Sequence, residues 1–231
     1  MDDDMRNRFE KQLEQVHNEL IEMGNLVEKS IQMAITVFLK KDEQLAQEAI
    51  DFDREINRQE RKVEGLCMRL LLEQQPVAKD LRMLYAALKM IADMERIGDY
   101  AQDIAESVLQ TPSDLYISDL PLTAQMAMET VLMVTRSVEA FVQSNLEMAK
   151  SILAQDDALD AQYEEMKQLL VQKIKEHPEH GMEAVEMLIV ARHLERIGDH
   201  AVNIAEWVIY SITGRHAGKR ELEEEQLSPG L

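Results

Sequence analysis

Two stretches of this chain place carboxylates where they could hold a cation. In ADMERIGDYAQDIAESV, which starts at Ala92, the polar positions are Glu95, Asp99, Asp103 and Glu106. In ARHLERIGDHAVNIAEWV, which starts at Ala191, the matching positions are Glu195, Asp199, Asn203 and Glu206. On a helical wheel of about 100° per residue, with the first Glu at zero, the Asp falls near 40°, the third position near 80° and the last Glu near 20°. The apolar set Leu194, Ala201, Ala205, Val208 and Ile212 centres near 260°, so the acids border the buried face. Like charges four apart on a helix repel by a few tenths of a kcal/mol per pair. A chain that accepts this twice beside its core requires a compensating positive charge. Arg96 and Arg196, about 100° round from the first acid, are one source. A bound cation is the other, and hard cations such as magnesium, manganese and iron favour clusters of oxygen ligands. One helix supplies too few ligands, so a second acidic helix is needed. Asp53, Asn57, Glu60 and Glu64 stack along one side of an earlier helix, and Asp156 and Asp160 do so on a later one.

The elements that must position these rows are helices. Glycine and proline number 8 and 5, aromatic residues make up 4%, and methionine reaches 15. Few turn-formers among many Ala, Leu, Met, Glu, Gln and Lys predict long helices. The first runs from about Met5 to Lys40, with Leu13, Val16, Leu20, Met23, Val27, Ile31, Ile35 and Leu39 at steps of three and four. Asp42 reads as the N-cap of the second. Pro76 and Asp80 mark a break and the start of the third, which ends near Gln110. The segment from Thr111 to Pro121 gathers prolines, serines and aspartates and reads as a linker. Helices follow over about Leu122 to Asn145, Leu146 to Glu176 and Met182 to Thr213, with HPEHG breaking the last two apart and Gly214 placed as a C-terminal cap.

Three helices, a linker and three more helices predict an all-α fold of two similar antiparallel three-helix bundles related by duplication. The first covers residues 1–112 and the second 122–214, joined by a linker at 113–121, with a polar, frayed tail at 215–231. The repeat rests on the ERIGD helices, where Arg96, Ile97, Gly98, Asp99, Ile104 and Glu106 are each identical 100 positions on. A weaker echo pairs Asp53 with Asp156 and Asn57 with Asp160. Gly98 and Gly198 cost about 1 kcal/mol each in a helix interior. Close approach of a neighbouring helix accounts for both, and would also bring the second acidic row near the first.

The net charge of −19 disfavours nucleic acid and anionic membrane surfaces as partners. The one cysteine, Cys67, allows no internal disulfide and fits a reducing compartment. It lies in an apolar run and reads as core. The opening MDDDMRNRFE lacks the apolar centre of a signal peptide, and no run of about 18 apolar residues could span a membrane. Glu14 and His17 give a lone E-x-x-H, against the two that a ferritin-like di-iron site uses, and read as surface chance. His193 and His200 point away from the acids of their own helix. There is no glycine-rich phosphate loop, G-x-S-x-G or C-x-x-C.

The doubled ERIGD helix, the QPVAKDLR entry to the third helix and the six-helix length resemble the PhoU family of phosphate-uptake regulators, over about residues 8 to 214. The resemblance implies oxygen-ligated metal clusters of iron, manganese, magnesium or zinc on the bundle surface. Carried over by motif, one set is Glu95, Asp99 and Asp103 faced by Asp53 and Asn57. The other is Glu195 and Asp199 faced by Asp156 and Asp160, with Asn203 in place of Asp103. Asn203 is a weaker ligand, so the second cluster is expected to hold fewer or looser metals, and Asn57 weakens the first in the same way. The resemblance further implies a cytoplasmic, homodimeric, non-enzymatic negative regulator that links a phosphate ABC transporter to a sensor histidine kinase. The alternatives are a carboxylate-bridged metalloenzyme and a metal-free helical scaffold.

Overall fold

The computed structural model describes residues 2–110 and 121–215. It contains six long helices: α1 (Asp2–Lys40), α2 (Glu43–Gln74), α3 (Ala78–Gln110), α4 (Pro121–Val142), α5 (Leu146–Glu176) and α6 (Gly181–Thr213), with a 3-10 turn at Pro178–His180. No strand occurs among the described residues. Of the expected linker only Pro121 is described, where it opens α4, and the tail from residue 216 lies outside the described residues.

Local chemistry sets the helix ends. The Asp42 carboxylate accepts from the Gln44 and Leu45 amides at 3.0 and 3.1 Å, satisfying donors that the first turn leaves open. Asp80 lies in the first turn of α3, which begins two residues before it. The fourth helix stops at Val142, short of the expected Asn145, because Asn145 caps α5 by accepting from the Met148 amide at 3.0 Å. Gly214 ends α6 at φ +76°, and its amide donates to the Tyr210 carbonyl at 2.8 Å.

The apolar stripe of α1 drifts. Val16, Leu20, Met23, Val27 and Ile31 are core, but Leu39 is 42% exposed while Ala34, Val37 and Phe38 are buried. Each step of four overshoots a full turn by about 40°. Three such steps from Val27, through Ile31 and Ile35, carry Leu39 off the core face.

α1, α2 and α3 pack on one another, α4, α5 and α6 do the same, and the halves meet along α3–α6 and α1–α4. Across the α3–α6 seam Asp93 meets Asn203 and Asp103 meets His193, so the two helices run antiparallel with Gly98 and Gly198 at the same level. Both glycines are buried against a neighbour. A Cβ on Gly98 would lie 2.9 Å from Ile56 Cδ1 of α2, and one on Gly198 would lie 2.3 Å from Leu159 Cδ2 of α5. The glycines thus let α2 approach α3, and α5 approach α6, closely enough for their polar edges to face each other.

Leu159 is 1% exposed, so its Cδ2 must shift within a packed core to admit a Cβ. Gly198→Ala should therefore destabilise the protein by about 1–3 kcal/mol through overpacking. Gly65, mid-helix in α2 with nothing within 4 Å of its would-be Cβ, is the control. Gly65→Ala should stabilise by about 0.5–1 kcal/mol. Urea denaturation of both variants checks the pair, and a Gly198→Ala protein as stable as wild type contradicts the close-approach role.

Candidate metal centre

The glycine-permitted contacts bring two acidic groups together, one in each half. In the first, Asp53 and Glu60 on α2 face Glu95 and Asp99 on α3. The Asp53 carboxylate accepts from the Asn57 side-chain amide, while its Oδ1, on the Gly98 side, is buried with no hydrogen-bond partner. Burial and then Asp99 push the Asp53 carboxyl above its ordinary value. Burial and then Asp99, with Glu60 and Asp53 adding, do the same to Glu95. Glu60 is raised by burial, by Glu64 and by Asp99. Arg96 offsets part of this, 3.7 Å from Glu95 and 2.9 Å from Asp99.

In the second group, Asp160 on α5 faces Glu195 and Asp199 on α6. Glu195 is only 9% exposed, and its Oε2 is buried without a partner. Burial, then Asp199 and Asp160, raise its carboxyl. Asp199 is exposed as a residue, yet desolvation of its carboxyl and the nearby Asp160 raise it too. The guanidinium beside Glu195 is that of Arg192, not Arg196. Arg196 instead donates to the Tyr100 hydroxyl at 3.3 Å across the seam.

Several residues of the expected ligand set stand elsewhere. Asp103 turns toward the α3–α6 seam, with His193 Nδ1 at 3.9 Å. Asn203 donates to Asp93 at 3.1 Å, in company with His200 at 2.8 Å. The wheel places both third positions about 80° round from the first acid, far enough to belong to the other helix interface. His193 and His200 meet Asp103 and Asp93 of the other half, although the charge of His200 also acts on Asp199 beside it. Asn57 is occupied in fixing Asp53. Asp156 is half-buried on α5, at the position that matches Asp53. Glu60, noted on the wheel but left out of the carried-over set, belongs to the first group. Arg192 and Tyr163 were missed; matching Ala92 to Arg192, and Glu60 to Tyr163 along the α2–α5 echo, would have exposed them.

His17 is not on the surface. It is half-buried, with its ring edge-on to Phe141 at 5.7 Å, and burial lowers its pKa. Cys67 is fully buried, which pushes its thiol up to about 12. No described helix is long and apolar enough to cross a membrane.

Two buried carboxylate oxygens without partners and an all-oxygen donor set suit a hard cation. As the side chains stand, however, no three His, Cys, Asp or Glu among the described residues converge on one point.

The architecture is that of a duplicated helical bundle with paired acidic seams. The family model described as "PhoU domain" matches the chain twice, over residues 20–108 and 123–208. The chain belongs to the PhoU family. It is 34% identical to the phosphate-specific transport system accessory protein PhoU homolog of Pseudomonas aeruginosa, covering 94% of this chain and 92% of that one. It is 31% identical to the accessory protein PhoU of Escherichia coli K12, over 94% and 91%. The crystal structure of PhoU from Pseudomonas aeruginosa superposes with a TM-score of 0.80 at 33% identity, covering 90% and 100%. That of the phosphate transport system regulatory protein PhoU from Streptococcus pneumoniae gives 0.83 at 27%, covering 90% and 99%.

The raised carboxyls bind protons more tightly in the folded protein than in the unfolded chain. Their contribution is therefore full below the ordinary carboxylate range, about 4 to 4.5, and is lost as pH rises through the raised values. In chelator-stripped protein, the variant Asp53→Asn/Glu95→Gln should gain in Tm over wild type as pH is taken from about 4.5 to 7. A Tm difference that does not change with pH contradicts the reading.

Proposed function

We propose that this protein is an accessory protein of phosphate-specific transport that acts by binding. In this reading it is a cytoplasmic, non-enzymatic negative regulator of phosphate uptake and of the phosphate-starvation response. It works as a homodimeric adaptor between a phosphate ABC transporter and a sensor histidine kinase, and hard metal ions held by carboxylates set the surface its partners read. Membership of the PhoU family carries the general role.

The observation that carries the metal is the pair of opposed acidic rows, held together by apolar packing at Gly98 and Gly198 and left with unpartnered oxygens at Asp53 and Glu195. Packing fixes the backbones and so maintains the repulsion; a divalent cation relieves it. Glu60 and Glu95 have several rotatable bonds each, and capture requires them to turn inward onto Asp53 and Asp99. An oxygen-lined site of this kind takes magnesium, manganese or iron more readily than metals that prefer nitrogen or sulfur.

A carboxylate-bridged metalloenzyme needs an open coordination position beside a substrate pocket. The apolar groove of about 790 Å³ follows the α1–α4 crease, lined by Ile31, Ile35, Met128 and Leu132, and none of its lining residues belongs to either acidic group.

Protein purified without chelator should carry metal by elemental analysis, and Asp99→Ala/Asp199→Ala should lose most of it while keeping its helical circular dichroism. Unchanged metal content in that variant would show that the ligands are assigned wrongly. Metal-free wild-type protein that still binds its partners would favour the plain scaffold.

A further inference from the structure

The two halves match in backbone but not in charge. The α2–α5 echo is confirmed in three dimensions, because Ile56 covers Gly98 as Leu159 covers Gly198. In that register Glu60 corresponds to Tyr163, and on the ERIGD helices Ala92 corresponds to Arg192. Asp160 stands where the first half has Asn57, so the carboxylate lost at Tyr163 is regained one turn away and the net change is an added guanidinium.

Both replacements meet at one place. Arg192 is bonded to Glu195, and its guanidinium lies over the Tyr163 ring, 5.5 Å from the centroid. Lys167 stacks on the same ring at 4.9 Å and pairs with Glu164. The cation–π contact holds the guanidinium against the row. Arg196, though bonded to Tyr100, also acts on both Glu195 and Asp199. In the first half Arg96 acts on Glu60, Glu95 and Asp99, with Arg61 also acting on Glu60, while Asp53 is held by the Asn57 amide. Arg96 is 63% exposed at its side chain and Arg192 43%, so Arg96 is the more easily displaced into water.

We propose that Arg192 is the resident cation of the second acidic group, filling the role that a divalent ion takes in the first, so that the protein's metal affinity is concentrated in the first half. This rests on the metal reading above and adds to it an inequality. It also moves the cause of that inequality. The amide of Asn203 is not responsible, since it is engaged with Asp93 across the seam. A fixed guanidinium repels an incoming cation and takes up one oxygen of Glu195. It is charge built into the chain, which no chelator removes.

The test is Mn²⁺ binding by full-length, chelator-stripped protein, with free Mn²⁺ read by electron paramagnetic resonance. In the wild-type background Asp99→Asn should weaken the tight Mn²⁺ site by about tenfold or more, and Asp199→Asn should leave it within about twofold. Arg192→Ala should add a second class of bound Mn²⁺. Asp199→Asn in that background should remove it, and Arg192→Lys, which keeps the charge, should not show it. Tyr163→Leu takes away the ring without touching a charge. It should show the second class in weaker form, which covers the case in which Arg192→Ala does not fold. Equal loss from Asp99→Asn and Asp199→Asn overturns the inequality, as does unchanged Mn²⁺ uptake in both Arg192→Ala and Tyr163→Leu. Absence of Mn²⁺ binding in every variant, wild type included, instead sinks the metal reading itself.

Discussion

The constraint on which the molecule turns is the close approach of α2 to α3, and of α5 to α6, at a glycine in each half. Buried Ile56 and Leu159 fill the space that a side chain at residue 98 or 198 would occupy. This apolar contact is strong enough to hold rows of like charge opposite one another, because burying a large aliphatic side chain stabilises by about 1.5–3 kcal/mol while a repelling pair costs a few tenths. Apolar packing therefore outweighs the repulsion within each acidic seam. What it cannot do is remove the repulsion between the carboxylates that it brings together.

Duplication then places two such seams about an approximate twofold, with α3 and α6 antiparallel between them. The third ladder positions belong to this central interface. Asp103 and Asn203 reach across to His193 and Asp93, tying the halves through polar contacts beside Tyr100, whose ring also stacks on both His193 and His200. Thus Glu95 and Asp99 face the partner helix of their own half, while Asp103 faces the other half. A single helix serves two interfaces with one acidic pattern, and the rotation of about 100° per residue separates their duties.

Much of this was legible in the residues. The two ERIGD helices, the Asp42 and Gly214 caps, the packing reason for both glycines and the acids of α2 facing those of α3 all follow from spacing and helix geometry. Contacts across the tertiary structure were not legible. Nothing in the periodicity of α1 says that Leu39 leaves the core, since a step of four is as apolar as a step of three until the accumulated rotation is counted. Nothing on the wheel of α6 tells whether Asn203 meets α5 or α3. His17 read as a surface residue because its partner, Phe141, lies far along the chain on α4. Arg192 carries no motif signal, because it stands at a position where the repeats differ, opposite Ala92.

The most direct test of the central claim is anomalous diffraction from crystals grown with Mn²⁺. The account predicts a peak in the α2–α3 seam among Asp53, Glu60, Glu95 and Asp99, with those side chains turned onto it. A map with no peak there at saturating Mn²⁺, and the four carboxylates still facing one another unbridged, would contradict it.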